Sequence, residues 1–157
     1  MCMSIFRQKG VTLIELVVVV VLMSIVASFA VPSFQNMTQK HRTDSAQSEV
    51  VKVLKQAKRI ARTEATTATV ELANFVADPS SITLTSNSGT NEVITLADKV
   101  VFETPLSITF SAIGSTTPPD GQGFFRITIL HEDTAFVRHV DVYASGQTVN
   151  HLPSFQP

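Results

Sequence analysis

Val11-Thr-Leu-Ile-Glu-Leu-Val-Val-Val-Val-Val-Leu-Met-Ser-Ile-Val-Ala-Ser-Phe-Ala-Val31 is the stretch on which the reading of this chain turns. Seventeen of its 21 residues are apolar. As a helix rising about 1.5 Å per residue it extends roughly 31 Å, which matches the hydrocarbon core of a bilayer. Valine runs are poor helix formers in water, but in lipid a single span has only the helix with which to satisfy its own backbone. Arg7 and Lys9 precede it with no acid among the first ten residues, so the positive-inside rule keeps the N-terminus cytoplasmic and sends everything after Pro32 across the membrane. A cleavable signal peptide ending near Ser28-Phe29-Ala30 and a plain signal anchor are the two ordinary readings, although signal cores run only about 7 to 15 residues. Neither accounts for Glu15. A carboxylate five residues into the span costs up to about 2.5 to 3.5 kcal/mol at mid-membrane and less near an interface, so it calls for a partner.

The rest of the chain is ordinary in composition. At 157 residues and 17.0 kDa it holds about one domain beyond the span. Twelve Lys and Arg against thirteen Asp and Glu give no overall basic field of the kind that attracts nucleic acid. The single cysteine, Cys2, excludes an intramolecular disulfide and any multi-cysteine metal site.

Lys9-Gly10-Val11-Thr12-Leu13-Ile14-Glu15 resembles the class III signal of type IV prepilins and of the pseudopilins of type II secretion. The resemblance implies cleavage after Gly10 by a membrane prepilin peptidase and methylation of the new amino terminus at Val11, where the family usually has Phe. Glu15 is then the fifth residue of the mature chain and Pro32 the twenty-second, both positions that the family pattern uses. It also implies a partner for Glu15, the freed α-amine of a neighbouring subunit inside a bundle of apolar helices. Glu15 would then mark register in assembly, since stranding one member of a buried ion pair costs about 3 to 5 kcal/mol.

After Pro32 the helical period resumes. Phe34, Met37, Ala46, Val50, Val53, Leu54, Ala57, Ile60, Ala61, Ala65 and Ala68 recur at steps of three and four, defining one apolar face. Lys52, Lys55, Lys58, Arg59 and Arg62 fall in an arc of roughly 120° nearly opposite it. Pro32 is expected to kink this helix rather than end it. From Thr69 the period changes to short β-rich runs at Thr69 to Phe75, Ser81 to Thr85, Glu92 to Leu96, Val100 to Glu103, Ser107 to Phe110, Phe124 to Leu130 and Ala135 to Ala144, with a hairpin turn at His131 to Thr134. The expected architecture is therefore α+β, a long N-terminal helix packed on one antiparallel sheet. Its divisions are a leader at 1–10, a transmembrane and assembly helix at 11–31, an amphipathic helix at 32–68 and a β-sheet domain at 69–157.

Leu54 to Ala65, Val70-Glu-Leu72, Ile108-Thr-Phe110 with Gly114, and Val142-Tyr-Ala-Ser-Gly146 are similar to the GspH/FimT branch of minor pilins and pseudopilins. The branch implies a low-abundance subunit that initiates or caps a filament, with other minor pilins or pseudopilins, the major subunit and prepilin peptidase as partners. It implies the bacterial inner membrane as location, with the C-terminal domain in the periplasm, and then a type IV pilus or, alternatively, a type II secretion pseudopilus. FimT-type members bind DNA through a Gly-Arg-x-Arg motif. Here the corresponding stretch reads Gly146-Gln-Thr-Val149, without either arginine, and residues 63–157 carry three Lys and Arg against ten Asp and Glu. That charge opposes a phosphate backbone, which leaves only the stripe Lys52, Lys55, Lys58, Arg59 and Arg62 as a weak DNA contact.

Enzymatic readings find less support. His41, His131, His139 and His151 lack metal-ligand spacing, and Gly121-Gln-Gly123 lacks the third glycine of a phosphate loop. No serine stands in a nucleophile elbow, and Asp120, Glu132 and Asp133 lack a calcium-loop pattern. No catalysis and no cofactor are expected.

Overall fold

Helix-forming and strand-forming stretches part company near Thr63. The computed structural model describes residues 11–74, 80–119 and 123–151. Helix α1 spans Leu13–Thr63, passing through position 32 without ending, and eight strands follow: β1 Ala68–Ala73, β2 Ser81–Ser86, β3 Asn91–Thr95, β4 Val100–Phe102, β5 Leu106–Phe110, β6 Phe124–His131, β7 Thr134–Tyr143 and β8 Thr148–His151. The chain divides into two units between Met37 and Thr38.

In the first unit the large apolar side chains of the helix are exposed. Leu13 is 83% exposed, Phe29 77% and Phe34 72%, and the most apolar window has a mean hydropathy of 2.7. Between Glu15 and Val31 its two polar side chains are internally satisfied. Ser24 Oγ donates to the Val21 carbonyl and Ser28 Oγ to the Ile25 carbonyl, both at 2.7 Å, so neither hydroxyl needs water.

The second unit buries the face that the sequence pattern marks. Ala46, Val50, Val53, Leu54, Ala57 and Ala61 lie at or near zero exposure and join inward residues of the strands in one core. Opposite them in chemistry, Lys52, Lys55, Arg59 and Arg62 stay in solvent. The helix stops at Thr63 rather than at Ala68, because Thr66 N–H reaches back to the Ala61 carbonyl at 3.1 Å while Ala65 takes the left-handed conformation at φ 50°. That is a Schellman closure made without glycine. Ala68, expected on the helix, instead begins β1.

The strands form two four-stranded antiparallel sheets, not one: β3-β2-β1-β5 and β4-β6-β7-β8. Every expected strand is present, and β8 is an addition. It pairs with β7 through His139 opposite His151 and Val142 opposite Thr148. Inward positions alternate as strand geometry requires: Ala68, Val70 and Leu72 on β1, and Phe125, Ile127 and Ile129 on β6.

Side chains then tie the layers together. Asn74, just past β1, behaves like one more strand residue: its Oδ1 accepts from Phe102 N–H at 2.8 Å and its amide donates to the Phe102 carbonyl. It thereby closes the open edge of β4, and Ser80 Oγ holds its Oδ1 at 3.0 Å. Arg138 on β7 is 4% exposed and meets Asp44 of α1 at 2.6 Å. Gln47 donates to the His139 carbonyl at 3.0 Å, and Lys58 to the Ser145 carbonyl at 2.9 Å. Within this unit α1 and β7 therefore run in the same direction.

Candidate functional site

The assembly site expected from sequence lies at the start of α1. Gly10 falls outside the described residues. Val11 is 72% exposed, and the helix begins two residues later. Thr12 is its N-cap: Thr12 Oγ1 accepts from Glu15 N–H at 3.3 Å, and the Thr12 carbonyl accepts from Leu16 N–H at 3.2 Å. Thr12-Leu-Ile-Glu15 thus has the spacing of a capping box, with Glu15 in the first turn where the helix dipole favours an anion. The capping bond uses the Glu15 backbone N–H, and the local contribution of its carboxylate is this position at the helix N-terminus. The cap was not among the features expected from sequence, although a Thr three residues before a Glu at the head of an apolar run is a legible signal.

At its other end α1 brings together most of the basic stripe. Lys55, Lys58, Arg59 and Arg62, with Thr63, line a shallow cleft of about 430 Å³. Two turns form contacts with it. Gly114 lies so close to Arg62 that a Cβ there would sit 2.7 Å from Cδ, and a Cβ on Gly146 would meet the Gly114 carbonyl oxygen. Both glycines have positive φ, 79° and 69°. A side chain at Gly114 would displace Arg62, one at Gly146 would collide with the Gly114 backbone, and both positive φ values favour glycine. Lys52 is set apart, paired with Glu49 at 3.2 Å.

Comparison with known proteins adds two findings to this geometry. Residues 5–31 match the prokaryotic N-terminal methylation motif. The type IV minor pilin FimU of Pseudomonas aeruginosa PAO1, known from its crystal structure, superposes with a TM-score of 0.56 at 17% identity, over 74% of this chain and 92% of that one. This chain carries a prepilin-type N-terminus on a pilin fold. No curated protein matches its sequence. Val11 and Glu15 lie within the matched residues, and the apolar helix fits membrane anchoring.

The remaining polar groups of this pilin-like chain are arranged for structure. Asp141, its side chain 2% exposed, accepts two bonds from Arg126, at 2.9 and 2.8 Å, and one contact from His151 Nε2 at 2.8 Å. The Arg126 hydrogen bonds hold the Asp141 carboxyl below the usual carboxylate range. His139, across from Thr128, is lowered by burial and then by the Arg126 charge. Along the sequence these histidines stand singly. Only the β6-β7-β8 register brings His139, His151 and Asp141 together. Among the described residues no group of three or more His, Cys, Asp or Glu has metal-site geometry. Gly146 and Gln147, at the position of the branch's arginine motif, lie in the turn into β8, which begins at Thr148, and Gly146 lies beside Lys58. Asp120 lies outside the described residues, while Asp133 pairs with Lys99 at 2.6 Å.

Proposed function

We propose that this chain is a minor pilin-like structural subunit of the GspH/FimT type, cleaved after Gly10 by prepilin peptidase, methylated on Val11, and drawn from the inner membrane to initiate or cap a type IV pilus. Its C-terminal domain faces the periplasm, and its partners are other minor pilins and the major subunit. The observation that carries this reading is the first half of α1, an exposed apolar surface with one carboxylate, Glu15, near the expected mature terminus. Such a surface is stable only in lipid or against other apolar helices. In a bundle the Glu15 carboxylate is neutralised by a neighbour's N-terminal amine, and removing one partner costs about 3 to 5 kcal/mol. Pro32 marks the point where the membrane segment gives way to the amphipathic one. FimU is a type IV minor pilin, which supports a pilus over the type II secretion pseudopilus, where the same physics applies.

The test has two arms. Mass spectrometry of the mature protein should show an N-methylated Val11, and a start at Met1 or Val31 refutes the processing. Glu15→Gln keeps a capping-box side chain but loses the charge. It should insert normally and enter filaments about 100-fold less than the parent. Normal assembly by this variant would reduce Glu15 to a helix-capping residue.

A further inference from the structure

The sheet β3-β2-β1-β5 ends on one side in β3, and its ladder fixes which groups that edge presents. Ser86 N–H donates to the Thr90 carbonyl at 2.8 Å, and Leu96 N–H to the Ser80 carbonyl at 2.9 Å. Antiparallel pairs alternate between bonded and non-bonded, so Glu92 and Ile94 turn their backbone groups to β2 while Asn91, Val93 and Thr95 turn theirs outward. Among the described residues no strand pairs with that side. Side chains alternate as well: Asn91, Val93 and Thr95 lie on the outer face, and Glu92 and Ile94 on the face toward α1.

Other edges of the same unit are closed from within. Asn74 occupies both backbone groups of Phe102 on β4, and Thr116 bridges Phe110 at the end of β5. Proteins usually guard an open edge with lysine, proline or a bulge. Residues 91–95 hold no lysine or proline, pair with β2 in unbroken register, and expose Val93 to 61%. The single charge of the strand, Glu92, is drawn over α1, where Gln56 Nε2 donates to it at 2.8 Å. Two turns along the helix Glu64 accepts from Ser88 Oγ, so Gln56, Ile60 and Glu64 form the flank of α1 beside the β2-β3 hairpin. Ile60 and Ile94 are only partly buried. The edge thus offers outward backbone groups in one line and, on the side toward α1, two half-buried isoleucines flanked by carboxylates.

We propose that the open edge of β3 receives an extended segment of a neighbouring pilin subunit of a different kind, as a fifth strand with an apolar side chain opposite Ile94 and a Lys or Arg opposite Glu92. The proposal rests on the subunit reading above and names one surface for it. A second copy of this chain is the poorer occupant. Two β3 strands paired about Val93 set each Glu92 against the other copy's Ile94, and paired about Glu92 they set two carboxylates together. One strand added to one edge is a single heterologous contact, which suits a subunit present in few copies.

Hydrogen exchange on the full chain tests this, comparing detergent-held subunits with assembled complexes isolated through this chain. The Val93 and Thr95 amides should exchange about tenfold or more slowly after assembly, and those of Glu92 and Ile94, already bonded to β2, should change less. Val93→Pro removes an N–H without an acceptor among the described residues, so it should leave the unfolding midpoint in place and lower incorporation about tenfold. Ile94→Pro, which removes a ladder donor, should lower the midpoint instead. Glu92→Lys should lower incorporation about threefold, and unaltered entry overturns the basic partner residue. Asn91→p-benzoylphenylalanine should cross-link to another subunit that carries the N-terminal methylation motif. Unchanged exchange at Val93 and Thr95 in chains that have assembled, or normal incorporation of a folded Val93→Pro chain, overturns the added strand and leaves the subunit reading standing. Should Val93→Pro not fold, exchange and cross-linking of the parent decide. Cross-links confined to copies of this chain assign the edge to self-association, and cross-links to a protein outside the pilins assign it elsewhere; either overturns the proposal. A parent that never enters filaments overturns both readings.

Discussion

The two parts of α1, Leu13 to Met37 and Thr38 to Thr63, are built on one continuous backbone pattern yet live by different rules. In the first, Leu22 and Val26 are 57% and 67% exposed, while in the second Val53 and Leu54 are at 0%. Apolar side chains surround the first segment on every side; in the second they occupy a stripe backed by lysines and arginines. A helix apolar all round needs an outside solvent or partner to be stable, whereas a striped one finds its partner in its own sheets. The first half therefore records what the protein joins, and the second records how it folds.

Substitutions that treat the halves alike should break them differently. Leu54→Ala is expected to lower the domain's stability by about 3 kcal/mol in denaturant unfolding followed by circular dichroism, and Leu22→Ala to leave that transition in place. Equal effects would mean that the first half is part of the folding unit. A smaller loss, about 2 kcal/mol, is expected from Asp44→Ala, which leaves the Arg138 guanidinium 4% exposed without its carboxylate. The loss should shrink in Asp44→Ala/Arg138→Met, because the stranded charge is then gone.

Acid should loosen the second half through Asp141. Its folded carboxyl titrates below the unfolded value of about 3.8, so its stabilisation is complete above that pH and disappears as pH falls through the folded value. His139, also lowered, adds a loss that starts earlier, as pH drops below about 6.5 and the unfolded chain takes up a proton first. Unfolding midpoints measured from pH 7 to 3 should decline in both windows, and Asp141→Asn should flatten the lower one. The smallest expected effect is a gain. Ala65→Gly relieves the left-handed strain at the end of α1 and should stabilise by about 0.5 to 1 kcal/mol, whereas a neutral result would mean the Schellman turn is unstrained.

Much of this organisation is legible in the residue pattern alone. The pilin-type N-terminus and the α+β pattern agree with the motif match and with the fold of FimU. Seven strands show themselves as β-rich runs between turn residues. β8 escapes because Thr-Val-Asn-His is short, polar at its end and held on one side only. The layout as two sheets is also hidden, since β5 pairs with β1 and β4 with β6 across intervening strands.

What the sequence by itself determined was the membrane-length helix, the isolated acid at Glu15 and the face of α1 that goes inward. These depend on residue spacing along one element, and helix pitch and bilayer thickness are constants. What only the tertiary structure decided was which distant groups meet: Arg138 with Asp44 across 94 positions, Asn74 with the Phe102 backbone across 28, and the basic stripe with the Gly114 and Gly146 turns. Such meetings depend on strand register, and a shift of one residue turns every side chain to the other face, so no local pattern specifies them.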